Sequence, residues 1–418
     1  MKEQPSLARR VTASIGKVLA HRTFLSLALA LIDPFLPVRA GRVVLVTRRN
    51  TPFSGNLRIV ADALAARGEH QIGVFRATPL PRATRAALEA AGITVFGGLS
   101  WRALHFILTS ANVVLSHSAR DAYLRRRKRG RRIVNLWHGV ALKRIEHLMR
   151  QRGPGALPRR RQRQIARNGR LYDAMIASGP VDRLVMTAAF RVPFEAVLPA
   201  GLPRFDYMAP HRPLPPDLAA SAERLTELLA GRRLVLYAPT FRDRGSILLR
   251  TAKTDIPALR SFLRERNLVL GVRAHPYEER AAAAAALLDG EDIVSVAASA
   301  FPEVNLLLRE TSALVVDYSS IWVDFLLTDR PIIGLCPDLG DYQAEERGFI
   351  YDLRAIFPGP IVDSWAEVIR HLDAVRDADF ALADRTRHDF ARTMLLPRPP
   401  APPGYYTDQV VNGLFPRD

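Results

Sequence analysis

The chain has 418 residues, 48% of them hydrophobic and 24% charged, a composition typical of folded globular proteins, and its length predicts two domains of about 200 residues each. With 60 Lys and Arg against 41 Asp and Glu, the formal net charge is +19, which indicates an anionic partner such as nucleic acid, an acidic membrane surface or a phosphorylated substrate. Because Cys336 is the single cysteine, a disulfide framework and a thiolate metal site within one chain are excluded.

Residues 1–40 are predicted to form an amphipathic segment that associates with a membrane. Apolar residues recur at helical spacing between Leu7 and Leu19 with basic residues between them, and an apolar run follows from Thr23 to Leu36. The run is shorter than the ~20 residues that span a bilayer, and it lacks a signal-peptide cleavage pattern. A helix in the membrane interface is therefore expected, and an ordinary helix packed on the next domain fits the same pattern.

Residues 41–205 are predicted to form an α/β domain. Short β-branched runs alternate with amphipathic stretches such as Asn56–Ala66, a pattern that indicates a parallel sheet covered on both faces. The runs are Arg42–Thr47, Gln71–Arg76, Ile93–Phe96, Asn112–Ser116, Ile133–Trp137, Ala174–Ala177 and Ala196–Pro199. The proline-rich stretch from Pro203 to Pro216 is interpreted as a linker.

Residues 206–396 repeat this alternation, and residues 397–418 are predicted to be a tail with a short helix. The second set of strands is Leu234–Ala238, Leu268–Val272, Ile293–Val296, Ala313–Val316 and Ile332–Leu335, with helices such as Asp217–Ala230 and Ile256–Arg266 between them. The prediction is two Rossmann-like, doubly wound domains that face each other across a cleft. Ligands in such folds bind beyond the carboxyl ends of the strands.

Polar side chains stand directly after several predicted strands. His138-Gly139 follows a strand of the first domain, and a histidine there is placed to act as a general base. Tyr237 to Asp243, Arg273 to Pro276 and Asp317 to Ile321 follow strands of the second domain, and Ser319-Ser320 is expected to cap a helix over Ile321–Leu327 whose amides face an anion. A buried structural histidine and plain capping serines explain each motif alone, but together the motifs indicate a diphosphate site.

This ordered set of motifs resembles the CDP-glycerol glycerophosphotransferases, the primases and polymerases of wall teichoic acid and related capsules. The shared motifs are Trp137-His138-Gly139 with Lys143, Gly201 to Asp206, Tyr237 to Arg242, His275-Pro276, Asp317 to Ser320 with Asp324, Arg330 to Ile333, Tyr342, and Glu346 to Phe349 with Asp352. The resemblance extends from about residue 42 to the end of the sequence. It implies a GT-B fold, with the acceptor bound mainly by the first domain and the nucleotide-activated donor mainly by the second.

The resemblance also implies the site residues. His138 and His275 correspond to the two histidines that face each other across the cleft, and we expect His138 to be the base, although exchanged roles fit the sequence equally well. The donor is expected to contact Thr240, Arg242, Arg273, Asp317, Ser319, Ser320 and Asp324, and the acceptor or a phosphate is expected to contact Lys143, Arg204 and Asp206. No metal and no cofactor are predicted.

The predicted reaction transfers glycerol phosphate from CDP-glycerol to a hydroxyl of a lipid-linked saccharide or a growing polyol-phosphate chain, releasing CMP. The short lead before the first strand favours a primase-type member. Phe205 and the run Gly334–Pro337 depart from the commoner family pattern, so CDP-ribitol stays open as the donor, as does a nucleotide-sugar glycosyltransferase of the GT-B class.

Two arginine-rich runs, residues 125–132 and 159–170, are predicted to hold the protein on the cytoplasmic face of the cell membrane as a peripheral protein that binds anionic lipid. A nucleic-acid-binding protein would require aromatic residues among these arginines for base stacking. The runs contain none, so nucleic acid is not the expected partner.

Overall fold

The computed structural model describes residues 22–149, 156–210, 212–240, 247–273, 291–340, 342, 348–376, 379–382, 384–397 and 401–416, and the side chains of 247–255 and 376 are not described. Two of the predicted site residues, Arg242 and His275, lie outside these ranges, as does the predicted helical pattern between Leu7 and Leu19.

The first half of the chain folds into a seven-stranded sheet in which every neighbouring pair is parallel. The strand order is β3-β2-β1-β4-β5-β6-β7. The strands are β1 (Arg39–Val46), β2 (Gln71–Arg76), β3 (Thr94–Gly97), β4 (Ser110–Leu115), β5 (Arg132–Asn135), β6 (Ala174–Ile176) and β7 (Val197–Leu198). Helices of this half are α1 (residues 22–32), α2 (Gly55–Arg67), α3 (Arg82–Ala90), α4 (Trp101–Thr109), α5 (Arg159–Gly169) and α6 (Pro180–Phe190). All seven predicted strands are confirmed within three residues at each end.

The second half forms a six-stranded parallel sheet in the order β10-β9-β8-β11-β12-β13. Its strands are β8 (Arg233–Ala238), β9 (Leu268–Val272), β10 (Ile293–Ser295), β11 (Thr311–Val316), β12 (Ile332–Leu335) and β13 (Ile361–Val362). Its helices are α7 (Pro216–Leu229), α8 (Ile247–Glu265), α9 (Val304–Glu310), α10 (Ile321–Phe325), α11 (Leu353–Ile356), α12 (Trp365–Arg376), α13 (Thr386–Leu395) and α14 (Tyr405–Leu414). The five predicted strands are confirmed, whereas the two-residue strand β13 was missed.

The apolar cores of the two halves are continuous. One cluster of buried side chains runs from Val43 in β1 through Phe205 and Tyr207 to Leu236 in β8 and Trp322 in α10. Phe205 and Tyr207 belong to a 3-10 turn, Pro203–Met208, in the stretch that the sequence suggested was a linker. The turn is therefore a packed junction of the two sheets, and not a free connection.

The last helix, α14, packs on the first half of the chain. It contacts α2 and the Pro203–Met208 turn, and the ring of Tyr406 lies edge-on to Phe205 with 5.3 Å between ring centroids. The buried carboxylate of Asp206 accepts hydrogen bonds from the Thr407 backbone N at 2.7 Å and the Thr407 hydroxyl at 2.6 Å. Asp206 thus stabilises the N-terminus of α14.

Helix α1 packs on the first half and leaves a row of large apolar side chains exposed. Leu29 is buried, and Arg125 and Arg131 fix the segment through Ser26 and Asp33. The exposed side chains are Phe24, Leu27, Leu31, Ile32 and, just beyond the helix, Phe35. Across the described ranges, none of the helices combines the length and the apolar character that a bilayer span requires.

Candidate active site between the two sheets

A cavity of about 660 Å³ lies between the two halves, at the carboxyl ends of the central strands. From the first half it is lined by the loops after β1 and β5 and by the turn after β7, and from the second half by the loops after β8, β9 and β11. The predicted site residues that line it are His138, Lys143, Arg204, Thr240, Arg273, Ser319, Ser320 and Asp324. Its position is the one expected for a ligand site in paired α/β domains.

The loop after β5 presents His138 to this cavity. Trp137 has φ +49° and Gly139 has φ +153°, and the Asn135 side chain accepts a hydrogen bond from the Trp137 backbone N at 2.9 Å. The His138 Nδ1 lies 3.2 Å from the carbonyl oxygen of Ser116. Because a carbonyl can only accept, Nδ1 carries the proton in the neutral ring, and the lone pair is left on Nε2.

His138 is held neutral by its surroundings. The residue is exposed at the cavity wall, yet desolvation by the surrounding protein, together with the positive potential of His117, Arg204 and Arg48, lowers the pKa of His138 to about 3. A neutral ring with a free Nε2 lone pair is the form that a general base needs.

Arg204 connects the two halves at this point. Its Nη2 donates to the Asp324 carboxylate at 2.8 Å, and its Nε lies 2.8 Å from the other carboxylate oxygen. Its Nη1 donates to the carbonyl oxygen of His138 at 2.7 Å. Asn56 supports the same region, since its side chain bonds to the Arg204 backbone N and to the Leu136 carbonyl. Arg204 and Asp324, predicted as ligand-binding residues, therefore face the cavity as an ion pair with each other.

Gly139 lies where the two halves approach each other. A Cβ built at this position would stand 3.2 Å from Arg204 Nη2 and 3.4 Å from the Ser320 hydroxyl. Its φ of +153° is also one that side-chain-bearing residues rarely adopt. Glycine is therefore required here both for the backbone conformation and for the width of the cleft.

The wall of the cavity that belongs to the second half is built on β8 and β11. The buried Asp317 carboxylate accepts from the Thr240 backbone N at 2.9 Å and from its hydroxyl at 2.6 Å, so Asp317 lies behind the cavity and orients Thr240. Ser319 Oγ accepts weakly from the Ile321 backbone N at 3.5 Å, whereas Ser320 makes no side-chain cap. Of the expected capping pair Ser319-Ser320, Ser319 therefore makes the cap, and helix α10 ends at Phe325 before continuing as a 3-10 turn.

Arg273 and Lys143, two positively charged residues that the sequence predicted for the site, also line the cavity. Arg273 Nη1 donates to the carbonyl oxygens of Val296 and Phe301, both at 2.9 Å. Lys143 Nζ lies 5.1 Å from the centroid of the Tyr342 ring, a cation–π contact. These contacts hold both positive groups at the cavity wall.

The segment that bears Lys143 also joins the halves through its backbone. Lys143 forms an antiparallel bridge with Phe349, and the Ile350 backbone N donates to the Leu142 carbonyl at 2.8 Å. The position of Lys143 at the cavity is therefore fixed by main-chain hydrogen bonds to the second half.

Asp206, like Asp317, does not line the cavity, and its side chain is engaged elsewhere. Its carboxylate is engaged by the Thr407 amide and hydroxyl of α14, as described above. The motif Gly201 to Asp206 therefore divides in function, because Arg204 points to the cleft and Asp206 into the packed junction.

Two residues of the site were missed from the sequence. His117 stacks on His138, and the usable signal was its position directly after β4, the criterion that identified His138. Glu303 is buried, and its carboxylate accepts from the Gly55 backbone N at 2.6 Å, across the two halves. Burial raises the pKa of Glu303. No local pattern marks this residue, since its partner is an amide in the other half.

Among the residues that the structure describes, no group of three or more His, Cys, Asp or Glu side chains is arranged to hold a metal ion. The positive groups at the cavity are arginine and lysine side chains.

The family model described as CDP-Glycerol:Poly(glycerophosphate) glycerophosphotransferase matches residues 28–394. The chain belongs to this family. The resemblance found in the sequence motifs is thereby confirmed.

Two curated proteins that are similar to this chain are teichoic acid enzymes. The teichoic acid ribitol-phosphate primase of Bacillus spizizenii is 27% identical over 354 residues, covering 84% of this chain and 87% of that protein. The teichoic acid glycerol-phosphate transferase of Staphylococcus aureus is 27% identical over 251 residues, covering 59% of this chain and 62% of that protein. The family is thus one of teichoic acid phosphotransferases, with glycerol-phosphate and ribitol-phosphate enzymes among its members.

A solved structure of the wall teichoic acid polymerase TagF, soaked with CDPG, superposes on this chain with a TM-score of 0.73. The superposition covers 96% of this chain and 95% of that chain at 18% identity. At this identity the likeness concerns the fold, and it confirms the predicted GT-B architecture.

Proposed function

We propose that the protein transfers glycerol phosphate from CDP-glycerol to a hydroxyl of a lipid-linked saccharide or growing polyol-phosphate chain, as a primase-type enzyme that releases CMP. The observation that carries the proposal is the neutral His138 ring at the cavity wall, with Thr240, Ser319 and Arg273 of the second half lining the same cavity. A base on one wall and hydroxyls and a cation on the other are what displacement at a phosphorus atom requires.

The proposed chemistry begins at His138. Its Nε2 takes the proton of the acceptor hydroxyl, the oxygen attacks the phosphorus that bears glycerol, and the bond to the CMP oxygen breaks. A pKa of about 3 makes the free ring a weak base. Binding of a negatively charged diphosphate beside it would counter the positive potential that lowers this pKa, so the donor itself would strengthen the base.

The second half would stabilise the charge on the phosphoryl oxygens and on the leaving CMP. Arg273 and Lys143 would supply positive charge, and Thr240, Ser319 and Ser320 would supply hydrogen-bond donors at the cavity wall. Asp317 would act through Thr240, whose amide and hydroxyl it holds. We include Arg242 and His275, which lie outside the described residues, in the proposal on the family resemblance alone.

CDP-ribitol is the second candidate donor. It is favoured by the similarity to the ribitol-phosphate primase, whose alignment covers 84% of this chain and 87% of that protein. The same coverage of a primase supports a primase-type role. CDP-glycerol is supported by the glycerol-phosphate transferase and by the solved polymerase soaked with CDPG.

We further propose that the first half rests on the cytoplasmic face of the cell membrane and holds the lipid-linked acceptor there. Arg120 is surrounded by other cations: burial, followed by the charges of Arg22, Arg161 and Arg125, lowers its pKa. The two arginine-rich runs thus approach each other near α1, whose exposed Phe24 and Leu31 lie on the same half. Apolar insertion combined with attraction to anionic lipid gives stable but reversible binding.

The donor is tested by incubating the full chain with CDP-glycerol, CDP-ribitol and UDP-sugars and measuring release of CMP or UDP. Calorimetry with CDP and UDP measures the nucleotide preference without an acceptor. Release of CMP with either CDP-polyol supports the proposal, and the better donor identifies the polyol. Release of UDP alone, or binding of neither nucleotide, contradicts it.

The membrane proposal is tested by sedimentation with vesicles that contain or lack anionic lipid. Binding to anionic vesicles should weaken with salt and should fall in a Phe24→Ser, Leu31→Ser double variant. Phe390→Ser, on α13, is the matched control because Phe390 is also a large exposed apolar side chain, 49% accessible. Equal binding to neutral and anionic vesicles, or none to either, would refute the membrane proposal and leave the transferase proposal intact.

A further inference from the structure

His117 lies flat against His138 in the first half of the site. The ring centroids are 4.2 Å apart and the ring planes differ by 12°. His117 is itself fixed, because its Nδ1 lies 2.8 Å from the Ser116 hydroxyl oxygen. It follows β4 directly, whereas His138 follows the adjacent strand β5. The stack therefore joins the ends of two neighbouring strands.

Trp137 makes a second ring contact with His138. The Trp137 ring lies 4.1 Å from His138, centroid to centroid, and Phe190 holds Trp137 from the side at 4.9 Å. The Ser116 carbonyl accepts from His138 Nδ1 while the Ser116 hydroxyl contacts His117. One residue, Ser116, thus sets the orientation of both imidazoles.

We propose that His117 is a positioning residue for the reaction: its ring holds the His138 ring in the orientation that places Nδ1 on the Ser116 carbonyl and leaves Nε2 for the acceptor hydroxyl. The inference rests on the proposed role of His138 as the base. His117 does not line the cavity, so its effect acts through His138 and not through the substrate. This role requires a flat ring at position 117. The nitrogen atoms of His117 serve only to fix that ring through the contact with Ser116.

The charges around the pair agree with this role. The groups that act on His138 are His117 after β4, Arg48 after β1 and Arg204 in the turn after β7, and each disfavours a proton on it. Desolvation, with the charge of Arg48, lowers the pKa of His117 to about 4. At neutral pH both rings are uncharged, so they stack without repulsion.

The test compares His117→Phe, which keeps a flat ring, with His117→Ala, which removes it. Turnover and the KM for the donor are measured with CDP-glycerol and, in parallel, CDP-ribitol, per folded molecule as judged by circular dichroism. We expect His117→Ala to lower kcat at least tenfold with donor KM within twofold, and His117→Phe to stay within about threefold of the parent. His105→Ala is the control, because His105 packs beside Trp101 on α4 and does not line the cavity.

A second measurement needs no substrate. In protein with labelled histidine, the nitrogen resonances of His138, assigned by their loss in His138→Ala, should report the Nδ1-protonated form in the parent and in His117→Phe. In His117→Ala and Ser116→Ala this preference should weaken. These spectra test the orientation even where His117→Ala is too unstable for kinetics.

Three results would overturn the inference: full kcat in His117→Ala, a loss in His117→Phe as large as in His117→Ala, or an unchanged His138 tautomer in both His117→Ala and Ser116→Ala. Failure of the proposed function has a different signature. In that case the parent itself would release no CMP from either CDP-polyol, whereas full turnover in His138→Ala would remove only the role of His138 as the base.

Discussion

Arg204 forms a two-point ion pair with Asp324 across the two halves of the molecule, with contacts of 2.8 Å to both carboxylate oxygens. The same guanidinium holds the carbonyl oxygen of His138. The ion pair therefore couples the position of the second half to the backbone of the proposed base.

This relationship predicts that Arg204→Lys and Asp324→Asn lower kcat more than they raise donor KM. A lysine cannot bridge both carboxylate oxygens, and removal of one partner of a buried pair costs about 3 to 5 kcal/mol. We expect kcat to fall by about tenfold or more, together with a lower melting temperature, in a CMP-release assay and a thermal scan. Arg85→Lys is the control, since its pair with Glu89 is exposed. Unchanged kcat in both variants would show that the pair does not position His138.

Gly139→Ala is expected to abolish most of the turnover while the fold is retained. The added methyl group would press on Arg204 and Ser320, which line the cleft. Gly98→Ala is the matched control for Gly139→Ala, because Gly98 also has a positive φ, +115°, but an added Cβ there would have nothing within 4 Å. Alanine at a positive φ lowers the stability of either variant by about 1 kcal/mol. Equal losses of turnover in the two variants would therefore show that crowding at the cleft is unimportant.

Asp206→Ala is expected to lower stability and leave turnover per folded molecule near that of the parent. It removes two charged hydrogen bonds to Thr407, a loss of about 3 kcal/mol, measured by thermal or urea unfolding. Asp408→Ala, exposed on the same helix, should change stability by only a few tenths of a kcal/mol. A raised acceptor KM with normal stability would instead support the acceptor-binding role expected from the sequence.

The stacked histidine pair predicts a specific dependence of stability on pH. The pKa of His117 is about 4 in the folded protein against 6.5 for an ordinary histidine. Above pH 6.5 neither state binds the proton, and as the pH falls toward 4 the unfolded chain binds it while the folded chain does not. The melting temperature of the parent should therefore fall relative to that of His117→Phe between pH 6.5 and 4. A constant difference over this range would contradict the prediction.

The sequence predicted both sheets, and it predicted that the site lies at the carboxyl ends of their strands. The β-branched runs marked the strands because parallel strands are buried on both faces, and His138 and Thr240 were found because strand ends converge at one edge of a sheet. His117 also follows a strand of the same sheet, but it lacks the glycine that follows His138 and was not singled out.

The remaining features depend on contacts between residues distant in the chain. Asp206 shares a motif with Arg204, but its partner Thr407 lies 201 positions away, and Glu303 finds its partner at Gly55. Of the two serines expected to cap α10, only Ser319 does so, because the turn geometry, which the residue type does not specify, decides which hydroxyl reaches the amide.

The return of α14 to the first half also bears on how the chain folds during its synthesis. At about 5 to 20 residues per second, the ribosome needs some 10 to 40 s to advance the 201 positions from Asp206 to Thr407. Throughout that interval the first sheet is complete, yet the surface formed by α2 and Phe205 has no cover and the Asp206 carboxylate lacks its partners. A nascent chain stalled near residue 396 would expose this surface to chaperones, so the last helix acts as the final closure of the part of the protein that was made first.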